Sequence, residues 1–128
     1  MLDVNRESYV SLATFRRNGG EVRTPVWFAV DPGDPKRLWV YTNRRSGKVK
    51  RIRNDGRVRL AACDARGRVR GDWVEARARL VEGEAARQPG FDALYAKYGW
   101  QARLVTLGAR LGGRWKDRAI LAIELGRG

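Results

Sequence analysis

The residues best suited to chemistry gather in one stretch. Ser46-Gly-Lys-Val-Lys-Arg-Ile-Arg-Asn54 sets Lys48, Lys50, Arg51 and Arg53 around a narrow stripe of Val49 and Ile52. That spacing predicts a short helix with Ser46 as its N-cap and Asp55-Gly56 as its end. A helix N-terminus offers unpaired backbone N–H groups and the positive end of a dipole. Lys48 and Lys50 beside it make a site suited to phosphate. Residues 44–70 carry 11 basic side chains against Asp55 and Asp64, which accounts for most of the net charge of +13. The local pattern leaves three readings open: a bound small anion, a solvated basic helix, or a nucleic-acid surface.

Composition removes other chemistries. The 128-residue chain has no His, so a Ser-His-Asp triad, a Cys-His dyad and a histidine metal site are excluded. A single cysteine, Cys63, excludes an internal disulfide; its place in an apolar run predicts a buried strand residue. There is no GxxxxGK[ST] loop and no GxGxxG after a strand, so any nucleotide must be held another way. No apolar run reaches the ~20 residues of a membrane span, and the N-terminus lacks a signal-peptide core. The expectation is a cytoplasmic protein of one domain, residues 1–128.

Several elements must position the basic stretch. Tyr9 to Phe15 and Glu21 to Val30 read as a hairpin around Asn18-Gly19, with Pro25 marking an edge or bulge. Leu38 to Thr42, Val58 to Cys63, Asp72 to Val81 and Ala119 to Leu125 read as further strands. Glu84 to Gly99 reads as a helix interrupted at Pro89-Gly90, and Gln101 to Leu111 as a second helical segment. Gly112-Gly113 and Arg114 read as the loop before the last strand. Tyr95, Tyr98, Trp100 and Trp115 form an aromatic set expected to serve packing. The fold class is mainly β (α+β), with about six antiparallel strands curling into a small barrel.

Thr24-Pro-Val-Trp-Phe28, Tyr41-Thr-Asn-Arg-Arg-Ser-Gly-Lys-Val-Lys-Arg-Ile52 and Val58-Arg-Leu-Ala-Ala-Cys63 carry a resemblance. Together they resemble the pyridoxamine 5′-phosphate oxidase-like split β-barrel superfamily, and within it the coenzyme F420-dependent PPOX class. The resemblance runs from Tyr9 through Leu125. It implies a homodimer with two cofactor sites at the subunit interface. It places Thr24, Pro25, Val26 and Trp27 beside a deazaflavin or flavin ring. It brings Tyr41, Thr42, Ser46 and Lys48 to the ribityl chain and phosphate, with Lys50 and Arg51 as further bases. It makes Trp73 a wall contributed by the other subunit.

One departure bears on the cofactor. FMN-binding members commonly carry Arg-Lys where this chain has Gly47-Lys48, which favours F420 with FMN as the alternative. F420 has a phosphodiester and a polyglutamate tail, and Arg44, Arg45 and Arg53 are candidates to meet that tail. The resemblance implies an oxidoreductase passing a hydride between reduced F420 and an organic acceptor. Tyr41, Tyr98, a basic side chain or water remain open as proton donors. Competing functions are an FMN enzyme of the same fold, a non-catalytic F420 carrier, and, less favoured, a nucleic-acid binder.

Overall fold

The computed structural model describes residues 7–99, 101 and 117–126. The helical segment from Gln101 to Leu111, apart from Gln101, lies outside these residues, as do Trp100, Trp115 and the Gly112–Arg114 loop. Among the described residues, seven strands run β1 (Tyr9–Phe15), β2 (Glu21–Val26), β3 (Phe28–Asp31), β4 (Asp34–Asn43), β5 (Arg57–Cys63), β6 (Val74–Leu80) and β7 (Arg118–Leu125). Helix α1 (Gly47–Asn54) follows β4, and α2 (Glu84–Tyr98) follows β6. The sheet order is β2-β1-β5-β6-β7-β4-β3. Every ladder is antiparallel.

The two ends of this order are consecutive in sequence. Only Trp27 separates β2 from β3, so the segment expected as one strand from Glu21 to Val30 is a single bent ribbon. Its first half pairs with β1 and its second half with β4. This change of partner turns six expected strands into seven and draws the sheet into a split barrel, as strands do when they turn a corner. Pro25, which cannot donate to a ladder, sits just before the corner.

Alternation along the strands separates an inside from an outside. Val10, Leu12, Phe28, Val40, Leu60 and Leu121 belong to the interior cluster. Val49 and Ile52 of α1 join it, so the narrow apolar stripe of that helix plugs one end of the barrel. The outer face of β3, β4 and β7 forms a second cluster with α2, through Ala29, Trp39, Ile120, Phe91, Leu94 and Tyr98.

Helix α2 runs unbroken through Pro89-Gly90, against expectation. Pro89 is exposed and faces solvent. Gly90 is the closest point of approach to the sheet, where a Cβ would lie 2.8 Å from Ile120 Cγ2 and 3.0 Å from Trp39. The pair therefore seats the helix on the sheet instead of ending it.

Candidate functional site

The start of α1 is built as expected. Ser46 is extended and its Oγ accepts from the Val49 N–H at 3.4 Å. Thr42 Oγ1 lies 3.4 Å from the same Oγ and ties the cap to β4. The first turn contains no acidic residue. Cations at a helix N-terminus work against the dipole, so a lysine there gains nothing from the helix itself.

Lys48 is partly buried and has no carboxylate partner among the described residues. Burial, then the neighbouring Arg51 charge, pushes its ammonium below the usual lysine range. Arg51 Nε donates to Thr14 Oγ1 at 2.6 Å, which holds the side chain back along the helix. Its Nη1 lies 2.7 Å from where a Cβ of residue 47 would stand. Gly47 thus leaves a space that the Arg51 guanidinium fills, and a cation reaches that spot from one turn further on. Desolvated cations without acids are offset by binding an anion.

The structure brings Thr42, Ser46, Lys48 and Arg51 together, while the other candidates occupy different surroundings. Tyr41 alternates to the opposite face of β4 and meets Phe91 of α2 edge-on, with centroids 6.2 Å apart. Lys50 is exposed on the side of α1 toward Phe15, Arg16 and Arg17. Thr24 and Pro25 are partly buried, and Gly67 packs close to the Pro25 ring. Val26 is a core residue, so its side chain faces the barrel interior. Trp73 precedes β6 and has the guanidinium of Arg23 at 4.6 Å and of Arg59 at 4.8 Å from its ring centroid, both in its own chain. Arg44 and Arg53 pair with Glu82, and Arg45 pairs with Asp117, so these three already serve acids. Cys63 is fully buried, and desolvation raises its thiol pKa.

Trp27 forms the hub of a second cluster. It stacks on Tyr98, with centroids 4.4 Å apart and planes 11° from parallel. The Tyr98 hydroxyl accepts from the Phe28 N–H at 2.9 Å. It reaches the Ser8 carbonyl at 2.7 Å and the Phe28 carbonyl at 2.9 Å. Lys97 Nζ also donates to the Phe28 carbonyl, at 2.8 Å, which leaves the hydroxyl proton to Ser8. Burial pushes the Tyr98 phenol up to about 12, so it is a poor proton donor and a good structural clamp. Sequence reasoning named Tyr98 but gave no sign of this role. It missed Lys97, for which a single basic residue at the end of an apolar helix offers no signal.

Lys97 yields a pH prediction. Desolvation lowers its pKa from 10.5 to about 8, although it lies 3.4 Å from the Phe28 ring centroid. Below about pH 8 it is charged in both states, and the folded state bears the desolvation cost. Between about pH 8 and 10.5 the unfolded chain binds more protons, so stability rises with pH. Urea unfolding of wild type and Lys97→Met across that window should show wild type gaining on the variant. Parallel profiles would rule the effect out.

Among the described residues, no helix is long and apolar enough to cross a membrane. Comparison with curated proteins found no match. The fold is shared with solved structures. A conserved hypothetical protein of Mycobacterium tuberculosis is 24% identical with a TM-score of 0.69, covering 97% of this chain and 76% of that one. A heme storage protein of Vibrio cholerae is 12% identical with a TM-score of 0.68, covering 96% and 84%. A FAD-binding protein of Mesorhizobium loti is 15% identical with a TM-score of 0.66, covering 97% and 85%. The family model described as pyridoxamine 5′-phosphate oxidase matches residues 3–127. With that match spanning the split barrel and helix α1, the chain belongs to the pyridoxamine 5′-phosphate oxidase family.

Proposed function

We propose that this protein binds coenzyme F420 and serves as an F420-dependent oxidoreductase, as a homodimer with sites at the subunit interface. The observation that carries the reading is the start of α1. There Lys48 and Arg51 lie partly buried beside the Ser46-capped N-terminus of α1, with no carboxylate partner among the described residues. These residues fit the phosphate end of a flavin-type cofactor. The Gly47-Lys48 pair supports a deazaflavin by resemblance, but Arg51 supplies beside Gly47 the cation that residue 47 lacks, so FMN stays the alternative.

When bound, reduced F420 supplies a hydride to an electron-poor organic acceptor. The residues of this chain bind and orient it. Lys48 and the α1 N–H groups hold the phosphate, and Thr42 steadies the Ser46 cap. Thr24, Pro25 and the backbone of Val26 are proposed to lie along the ring, with Trp73 as a wall. Tyr98 is committed to the Ser8 carbonyl and leaves protonation of the product to water or another side chain.

The test is titration of cofactor-free protein with F420 and with FMN, following tryptophan and cofactor fluorescence. Selective F420 binding, micromolar or tighter, is expected. Preference for FMN would move the protein to the flavin enzymes of this fold. Binding of neither would overturn the cofactor reading.

A further inference from the structure

We infer that this protein also binds the phosphate backbone of double-stranded nucleic acid, through a basic face outside the cofactor site. The charged stretch of residues 44–70 does not form that face as a whole, because the fold divides its cations. Arg44, Arg45 and Arg53 are occupied by Glu82 and Asp117, and Arg51 by Thr14. The face is made instead by six exposed cations with no ion pair among the described residues. Arg16 and Arg17 stand in the β1–β2 turn, Lys50 on α1, Arg57 on β5, and Arg77 and Arg79 on β6.

These six adjoin one another. Arg57 and Arg77 are directly opposite across the β5–β6 ladder, and Arg79 follows Arg77 on the outer face of β6, because Ala76 and Ala78 point into the core. The Arg57 guanidinium lies 4.3 Å from the centroid of the Phe15 ring, and Phe15 shares a cavity wall with Arg16, Arg17 and Lys50. Burial, then the nearby Arg16 charge, lowers the Arg51 pKa, which sets the turn against α1. The neighbouring acids have other partners: Asp55 accepts from the Arg57 N–H, and Glu124, opposite Arg77 on β7, pairs with Arg37. Like charges facing each other destabilise a sheet, so the Arg57–Arg77 pair is relieved by an anion placed between them. Guanidiniums match phosphate in fork geometry, and several separated cations match a repeating anion. A duplex is favoured over a single strand, because base stacking needs an open ring and Phe15 is buried beneath Arg57. A lipid surface is disfavoured, because the face has no exposed apolar side chain to insert. Arg77 and Arg79 lie about 14–20 Å along the chain from Trp73, which leaves the proposed cofactor wall clear.

The test is fluorescence anisotropy of a labelled duplex of about 20 base pairs, and of its single strand, with the full-length protein from about 50 to about 200 mM potassium chloride. The duplex should bind whatever its sequence, and log affinity should fall with log salt at a slope of about −4 to −5, as about five neutralised phosphates require. Arg77→Gln/Arg79→Gln should reduce the steepness of that slope by about two, and so should Arg16→Gln/Arg17→Gln. Arg66→Gln/Arg68→Gln removes the same charge from the turn beyond the far end of β5 and should leave the slope unchanged. Melting curves check that each variant is folded. The inference is overturned if the duplex does not bind at the lowest salt, or if the Arg66/Arg68 variant loses as much as the other two, which would mean net charge alone. It is equally overturned if the single strand binds more tightly, or if phosphatidylglycerol vesicles bind and the duplex does not. No step of this test involves F420, so failure of that cofactor to bind would overturn the cofactor reading alone.

Discussion

Lys48→Met is expected to weaken binding of a phosphate-bearing cofactor by about 10–100-fold while leaving the protein folded. A charge-assisted hydrogen bond contributes about 1.5–3 kcal/mol, and each 1.4 kcal/mol is about tenfold in affinity. The methionine keeps the stem of the side chain and removes a cation that folding had partly desolvated, so the melting temperature should hold or rise. The bound anion favours the protonated lysine, so wild-type affinity should fall as pH climbs past the lowered Lys48 pKa, whereas the variant should lack that fall. Titrations of both proteins across pH, together with their thermal melting curves, measure all three. Equal affinities for wild type and variant would remove α1 as the phosphate site.

Tyr98→Phe should destabilise the fold by about 1–3 kcal/mol, the cost of leaving a buried N–H without a partner. The hydroxyl is the acceptor for the Phe28 N–H at the corner where β2 becomes β3. The Phe28 carbonyl keeps Lys97, but the Ser8 carbonyl loses its donor. The phenylalanine preserves the stack on Trp27, so near-ultraviolet circular dichroism should change little, while urea unfolding shifts. The variant should also lose an alkaline effect. Between pH 10 and about 12 the folded wild type holds a phenol proton that the unfolded chain releases, so its stability falls across that range. A Tyr98→Phe protein of unchanged stability would mean that water serves the corner as well as the hydroxyl does.

The elements that alternation and turn chemistry dictate were legible in the sequence. Ser46 caps α1, Asp64 Oδ1 accepts from the Arg66 and Arg68 N–H groups in its turn, and Gly19 takes the left-handed φ of +87° in the first hairpin. The partner switch at Trp27 was not legible, because the inside–outside alternation of side chains continues through it and only the hydrogen bonds change hands. The continuity of α2 was hidden because Pro89-Gly90 has the composition of a breaker, and only the sheet beneath shows why a glycine is needed. At the site, Ser46 and Lys48 could be read from a local motif. The Arg51–Thr14 bond and the Arg16–Arg51 neighbourhood could not, because they join residues more than thirty positions apart. The same distance hides the Arg23 guanidinium over Trp73, whereas Arg59 reaches that ring from the neighbouring strand β5.

The bent ribbon has a consequence for how the chain tolerates change. Val26 and Phe28 both face the interior, with Trp27 between them on the outside, so β2 and β3 share one pleat. Their two ladders are therefore locked in phase. A one-residue slip of β2 against β1 cannot stay local, because side chains alternate with a period of two. It must either carry β3 out of step with β4 or be absorbed at Trp27. Inserting a single residue at the corner would invert one half of the ribbon relative to the other, whereas inserting two would restore its parity. The barrel thus has a reading frame, and one tryptophan is where it is kept.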